Sequence, residues 1–98
     1  MVRHIFMVAM KPTVDAHRVD EAIAELQALE GKIHGMRGLV VKKNLGWFNR
    51  KTHLALTADF QDKAAWESFI NHPQHAAIAE KYMPLYDAAS MATAQIEL

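Results

Sequence analysis

The segment Asn71-His72-Pro73-Gln74-His75 contains the signal that decides how the second half of this chain is organised. Because a proline disfavours helical geometry in the residue before it, His72 is predicted to end one helix. Pro73 has no N–H to leave unpaired, so it suits the first turn of the next helix. The segment therefore predicts two consecutive helices that meet beside His72 and His75.

The flanking sequence supplies the other ends of these two helices. Asp62 is a suitable N-cap for the first of them, and its apolar side chains recur at helical spacing: Trp66, Phe69 and Ile70. Pro84 is predicted to end the second helix or to bend its last turn. Residues 91–98 then alternate as a final strand does.

The first half of the chain predicts one more helix and three strands. Residues 2–10 alternate as a strand, and Thr13 is a suitable N-cap for the helix that follows. The apolar stripe of that helix is Val19, Ala22, Ile23, Leu26, Leu29 and Ile33. Residues 36–45 and 51–60 read as two strands of a hairpin around the turn-like segment 46–50.

The resulting order βαββααβ predicts an α+β fold of the ferredoxin-like type, a four-stranded antiparallel sheet with its helices on one face. The chain has 98 residues and no linker or repeat, so residues 1–98 are expected to form a single domain.

A second apolar sheet face predicts a homodimer. On the side away from the helices, the first strand is expected to place Ile5, Met7 and Ala9, and the third strand Leu54, Leu56, Ala58 and Phe60. A face of this kind exceeds the apolar patch that a soluble monomer usually exposes. Two copies packed sheet to sheet would cover it and form an α/β barrel.

Charge and cysteine content exclude several other partners. Eleven basic and eleven acidic residues give a net charge of zero, so neither nucleic acid nor a membrane surface is an expected partner. The chain has no cysteine, which removes thiolate chemistry and fits a cytoplasmic protein. His72 and His75 lack the helical His-Glu-x-x-His pattern, and neither a metal nor a cofactor is predicted.

A ligand cavity is predicted between the sheet and the helices. His4, Phe6 and Val8 share one strand face, while His53 stands on another strand with Ala55 and Thr57, whose small side chains leave space. The expected walls are Trp66, Phe69, Ile78 and Tyr86. A histidine in such surroundings is kept neutral by desolvation and can accept a proton from a carbon next to a carbonyl.

The chain resembles the stress-responsive A/B barrel domain family, a branch of the dimeric α/β-barrel superfamily, over nearly its whole length. The resemblance rests on residues 3–8, on Gly35-Met36-Arg37, on residues 52–56 and, most specifically, on residues 71–75. It implies a homodimer with a central barrel and a cavity in each subunit.

One enzyme of this family closes a linear polyketide by an intramolecular aldol condensation. The resemblance places His75 on its catalytic general base and His4 and His53 on histidines that line its cavity. Phe69 falls where that enzyme has a catalytic tyrosine, so the matching hydroxyl is missing here. Tyr82 or Tyr86 is the alternative source of a hydroxyl in this chain.

Three classes of function follow from these observations. The first is a small homodimer whose cavity binds or transforms a small apolar carbonyl compound, with His75 as general base. The second is a barrel-superfamily monooxygenase of the haem-degrading type, in which Trp66 and His75 would frame the substrate. The third is a non-catalytic dimer with a stress-related role, in which His75 only bonds a backbone carbonyl. The sequence does not decide whether the protein is an enzyme.

Overall fold

The structure is a computed structural model that describes all 98 residues. Its four strands and three helices follow the predicted order βαββααβ, and a short 3₁₀ turn precedes the last strand. The elements are β1 (Val2–Met10), α1 (His17–Gln27), β2 (Met36–Lys43), β3 (Leu54–Phe60), α2 (Lys63–Ile70), α3 (Pro73–Tyr82), the 3₁₀ turn (Met83–Leu85) and β4 (Tyr86–Glu97). The α+β ferredoxin-like prediction is confirmed.

The four strands form one antiparallel sheet in the order β2-β3-β1-β4. The central strands are therefore β1 and β3, which lie far apart in the chain. None of the three helices combines the length and the apolar character that crossing a membrane requires.

The helix boundaries around the histidine-proline segment are confirmed. Helix α2 begins after Asp62, whose Oδ1 accepts a 2.9 Å hydrogen bond from the Ala65 N–H. Helix α3 begins at Pro73, and Nδ1 of His72 accepts a 3.1 Å hydrogen bond from the Gln74 N–H. His72 is therefore a helix cap, which fixes the chain direction at the point where the two helices meet.

Five other boundaries differ from the predictions. Strand β2 ends at Lys43 instead of residue 45, and strand β3 begins at Leu54 instead of residue 51. Helix α1 begins at His17, so Thr13 does not cap it, and its last residue is Gln27. Leu29 and Ile33 are buried in the turns that follow, where they continue the apolar stripe; the Leu29 N–H donates a 3.1 Å hydrogen bond to the Leu26 carbonyl, as in a tight turn. Strand β4 begins at Tyr86, five residues before the predicted start at position 91.

The prediction of which face of β3 packs against the helices was wrong. In the antiparallel register Leu54 lies opposite Val8 and Leu56 lies opposite Phe6, so all four side chains share the helix-facing side. Leu54, Leu56, Ala58 and Phe60 are at most 2% exposed and belong to the core. Residues 55 and 57 accordingly point to the outer face.

An apolar outer face nevertheless exists: Ile5 and Met7 belong to it as predicted, and its residues on β3 are different ones. One row across the sheet consists of Val40, Thr57, Ile5 and Ala94, one residue from each strand. A neighbouring row contains Ala55, Met7 and Ala92. Val40 is 47% exposed, so this face is open in the single chain. We call these seven residues the outer apolar face.

The cap of α2 allows a simple test of the fold. Asp62→Ala is expected to lower the free energy of unfolding by about 1 kcal/mol, because it leaves a helix N–H without its partner. Urea denaturation followed by circular dichroism measures this change. Asp15→Ala is the matched control, since the Asp15 carboxylate is exposed and unpaired, and its effect should stay within about 0.5 kcal/mol. Equal effects of the two substitutions would contradict the capping role.

Candidate functional site

A cavity of about 220 Å³ lies between the sheet and the helices α2 and α3. Eleven of its 15 lining residues are hydrophobic, and the four others are His4, His75, Thr93 and Gln95. An apolar cavity of about 150 Å³ is known to hold benzene. The space is therefore sufficient for a small aromatic or aliphatic molecule with one or two polar groups.

His4 provides the most buried polar side chain of the cavity, with 5% of the residue exposed. Its Nδ1 accepts a 3.3 Å hydrogen bond from the indole Nε1–H of Trp66, and the side-chain amide nitrogen of Gln95 lies 3.0 Å from the same Nδ1. Burial lowers the pKa of His4, and the nearby His75 lowers it further. The imidazole of His4 is therefore neutral at neutral pH.

His75 lies in the first turn of α3, where the histidine-proline segment places it. Its ring packs edge-on against Phe69, with the ring centres 4.6 Å apart. Burial lowers the pKa of His75, the backbone carbonyl of Ile70 opposes this shift, and the charge of His72 contributes a smaller lowering. His75 is thus a second neutral imidazole in the cavity wall, near enough to His4 for the two to repel when protonated.

The structure brings seven of the ten predicted site residues together around the cavity. They are His4, Phe6, Trp66, Phe69, His75, Ile78 and Tyr86. Val8, His53 and Tyr82 lie elsewhere. Val8 is completely buried in the core, so it supports the cavity wall without reaching the space inside.

His53 lies away from the cavity. It immediately precedes β3, and its Nδ1 accepts a 2.9 Å hydrogen bond from the backbone N–H of Met10. The prediction that His53 lines the cavity assumed that residues 53, 55 and 57 face the helices, and this is the opposite face of β3 from the one that does. Its position is at a separate, open groove near the β1–α1 connection.

The two tyrosines considered as sources of a hydroxyl differ in their surroundings. The hydroxyl of Tyr82 donates to the carboxylate of Glu25, and burial together with that carboxylate raises the pKa of Tyr82. Tyr86 lines the cavity instead and packs against Phe6 at 6.1 Å between ring centres. Burial, with smaller effects of Tyr82 and Glu25, raises the pKa of Tyr86 to about 12, so its hydroxyl stays protonated. Of the two, only Tyr86 faces the cavity.

Thr93 and Gln95 are polar residues of the cavity that the sequence analysis did not identify. Both lie on β4, and Gln95 pairs with His4 across the antiparallel ladder. The available signal was the alternation Met91, Thr93, Gln95. It could not be used because alternation does not reveal which strand a segment pairs with.

No three histidine, aspartate or glutamate side chains of the chain converge in a geometry that could hold a metal ion. The polar groups of the cavity are instead arranged around His4 and His75.

The fold and the cavity define a class: small ferredoxin-like α+β proteins with a pocket between sheet and helices. Within this class, the model of the stress responsive A/B barrel domain family matches residues 2–93, so the chain belongs to that family. No curated protein matches the sequence.

Solved structures with the same fold have low sequence identity to this chain. A dimeric ferredoxin-like protein of unknown function from Thermobifida fusca is 23% identical, with a TM-score of 0.87 over 99% of this chain and 90% of that one. Hydroxynitrile lyase from Passiflora edulis is 20% identical, with a TM-score of 0.82 over 99% and 92%. A putative antibiotic biosynthesis monooxygenase from Deinococcus radiodurans is 15% identical, with a TM-score of 0.77 over 100% and 92%. These similarities support the fold.

Proposed function

We propose that this protein is a homodimer that binds a small apolar carbonyl compound in the cavity of each subunit, with His75 as a general base toward the carbon next to the carbonyl. The observation that carries the proposal is a neutral imidazole, His75, in the wall of an apolar cavity large enough for such a molecule. Cyclisation of a polyketide-like substrate is one reaction that begins with this proton transfer.

The surroundings of His75 suit the role of a general base better than that of a general acid. Burial keeps the imidazole unprotonated, and a neutral imidazole offers one nitrogen lone pair to a proton. Phe69 supplies only a ring against His75, so no phenol assists there. One solved structure with this fold is named a hydroxynitrile lyase. A hydroxynitrile is the cyanide adduct of a carbonyl compound, so that name is compatible with the proposed ligand class.

The outer apolar face supports the homodimer part of the proposal. Ile5, Met7, Ala55 and Thr57 lie on the two central strands, so the apolar surface occupies the middle of the sheet. Several solved structures of this fold are described as dimeric. A two-fold arrangement of two sheets would remove this surface from water in both copies at once.

Hydrogen–deuterium exchange of a simple ketone tests the base without knowledge of the natural substrate. Acetophenone has an aromatic ring, one carbonyl and acidic methyl protons, and proton NMR in D₂O follows the loss of its methyl signal. We expect the protein to accelerate this exchange and His75→Ala to reduce the acceleration by about 100-fold or more, the usual range for a lost general base.

His17→Ala is the matched control for this experiment, because the His17 side chain is 64% exposed on α1 and does not line the cavity. It should leave the exchange rate unchanged. Exchange that survives in His75→Ala would remove His75 from the proposed mechanism. Absence of both exchange and ketone binding would favour the non-catalytic, stress-related role.

A further inference from the structure

The hydrogen bond between Trp66 and His4 determines which nitrogen of His4 carries the proton. The indole Nε1–H can only donate a hydrogen bond, so the Nδ1 atom that it contacts at 3.3 Å must be the acceptor. A neutral imidazole has a single N–H. The proton of His4 is therefore on Nε2.

The second nitrogen of His4 is free for a ligand. Nε2 has no hydrogen-bond partner in the chain. It is not one of the fully buried atoms, although only 5% of His4 as a residue is exposed. His4 lines the cavity, so a ligand in that space is the partner that this N–H is expected to meet. We propose that Trp66 is a positioning residue that holds His4 as the Nε2–H tautomer, so that His4 donates a hydrogen bond to the carbonyl oxygen of the cavity's ligand.

This arrangement gives the two cavity histidines different tasks. The lone pair on Nδ1 of His4 is already occupied by Trp66, and its Nε2 carries a proton, so His4 has no free lone pair to act as a base. Removal of a proton next to a carbonyl moves negative charge onto the carbonyl oxygen. A fixed N–H in an apolar cavity stabilises that charge without reorganisation, and neutral imidazoles are known to serve as carbonyl-polarising groups.

Gln95 reinforces the same tautomer from the neighbouring strand. Its amide nitrogen lies 3.0 Å from Nδ1 of His4, so it can donate to the same lone pair and share it with the indole N–H. Gln95 can also turn its amide oxygen toward Nδ1, whereas Trp66 cannot accept a hydrogen bond. Trp66 is therefore the group that excludes the other tautomer, and Gln95 adapts to it.

The tautomer can be measured in the unmodified protein. Two-bond ¹H–¹⁵N correlation spectra of the uniformly ¹⁵N-labelled protein distinguish protonated from unprotonated imidazole nitrogens. We expect the pattern of the Nε2–H tautomer for His4 at neutral pH. A His4 protonated at Nδ1 in the unmodified protein would overturn the proposal, and no variant has to fold for this outcome to be observed.

Trp66→Phe tests the positioning role, because it keeps an aromatic ring in the wall but has no N–H to donate to His4. The Nδ1–H tautomer of His4 is expected to become populated, because Gln95 is then free to accept from it. Trp47→Phe is the matched control, since Trp47 is 91% exposed, and it should leave the His4 spectrum unchanged. A pure Nε2–H pattern in Trp66→Phe would contradict the role of Trp66.

The ligand part of the inference rests on the proposed function and has its own measurement. With acetophenone labelled with ¹³C at the carbonyl, binding should shift the carbonyl resonance downfield, as a hydrogen bond to its oxygen does. Trp66→Phe should reduce this shift and weaken binding about fivefold, the effect of one ordinary hydrogen bond.

The two proposals can fail separately. A shifted carbonyl resonance without proton exchange would contradict the base role of His75 and support the donor role of His4. Bound ketone with an unshifted carbonyl resonance would overturn the donor role, whatever the exchange rate.

Discussion

Phe60→Ala is expected to lower the free energy of unfolding by about 3–5 kcal/mol, the usual loss for a large aromatic side chain in a core. Phe60 ends β3 and is completely buried. Its ring packs against Phe69 at 5.3 Å and against His4 at 6.4 Å between ring centres. The substitution therefore leaves a void at the point where the sheet, α2 and the cavity wall meet.

Phe48→Ala provides the matched control, because the same atoms are removed from a side chain that is 97% exposed in the β2–β3 connection. Its effect should stay within about 0.5 kcal/mol. Urea denaturation at one fixed protein concentration measures both variants, since the stability of a dimer depends on concentration. A loss below about 1 kcal/mol for Phe60→Ala would contradict its place at the centre of the core.

The order of elements was predictable because it depends on local signals. Pro73 restricts the residue before it wherever the rest of the chain lies, and Asp62 caps a helix through its own next turn. The predicted start of α1 was wrong because the first turn of this helix has no side-chain cap that could mark it in the sequence. The early start of β4 at Tyr86 depends on the 3₁₀ turn and on a hydrogen bond from the Lys11 N–H to the Leu85 carbonyl, which is a long-range contact.

The cavity was only partly predictable, for a reason that lies in β3. Alternation shows that residues 54, 56, 58 and 60 share one face, but it does not show which face meets the helices. Only the register with β1, in which Leu54 lies opposite Val8, decides this. The same missing information explains why His53 was included in the cavity and Gln95 was not. His75 was predictable because a local proline signal fixes the helix that carries it.

Ala94→Lys is expected to dissociate the proposed dimer into monomers. Ala94 lies opposite Ile5 in the outer apolar face and is exposed in the single chain, so lysine at this position should be tolerated by the isolated subunit. In a two-fold dimer each copy would bring its own charge into an apolar interface, and an unpaired buried charge costs several kcal/mol. A total cost of only about 3 kcal/mol would raise the dissociation constant by more than about 100-fold.

Ala24→Lys is the matched control for this prediction. Ala24 lies on the exposed side of α1, away from the sheet, and the same substitution there should leave the assembly unchanged. Native mass spectrometry over a concentration series reports the mass of each species for the unmodified protein and both variants. The proposal requires a dimer for the unmodified protein and Ala24→Lys, and a monomer for Ala94→Lys. A dimer that persists in Ala94→Lys would show that the subunits meet elsewhere than on the outer apolar face.

In the proposed arrangement the cavity lies on the opposite side of the sheet from the interface, so monomeric Ala94→Lys should keep the Nε2–H tautomer of His4.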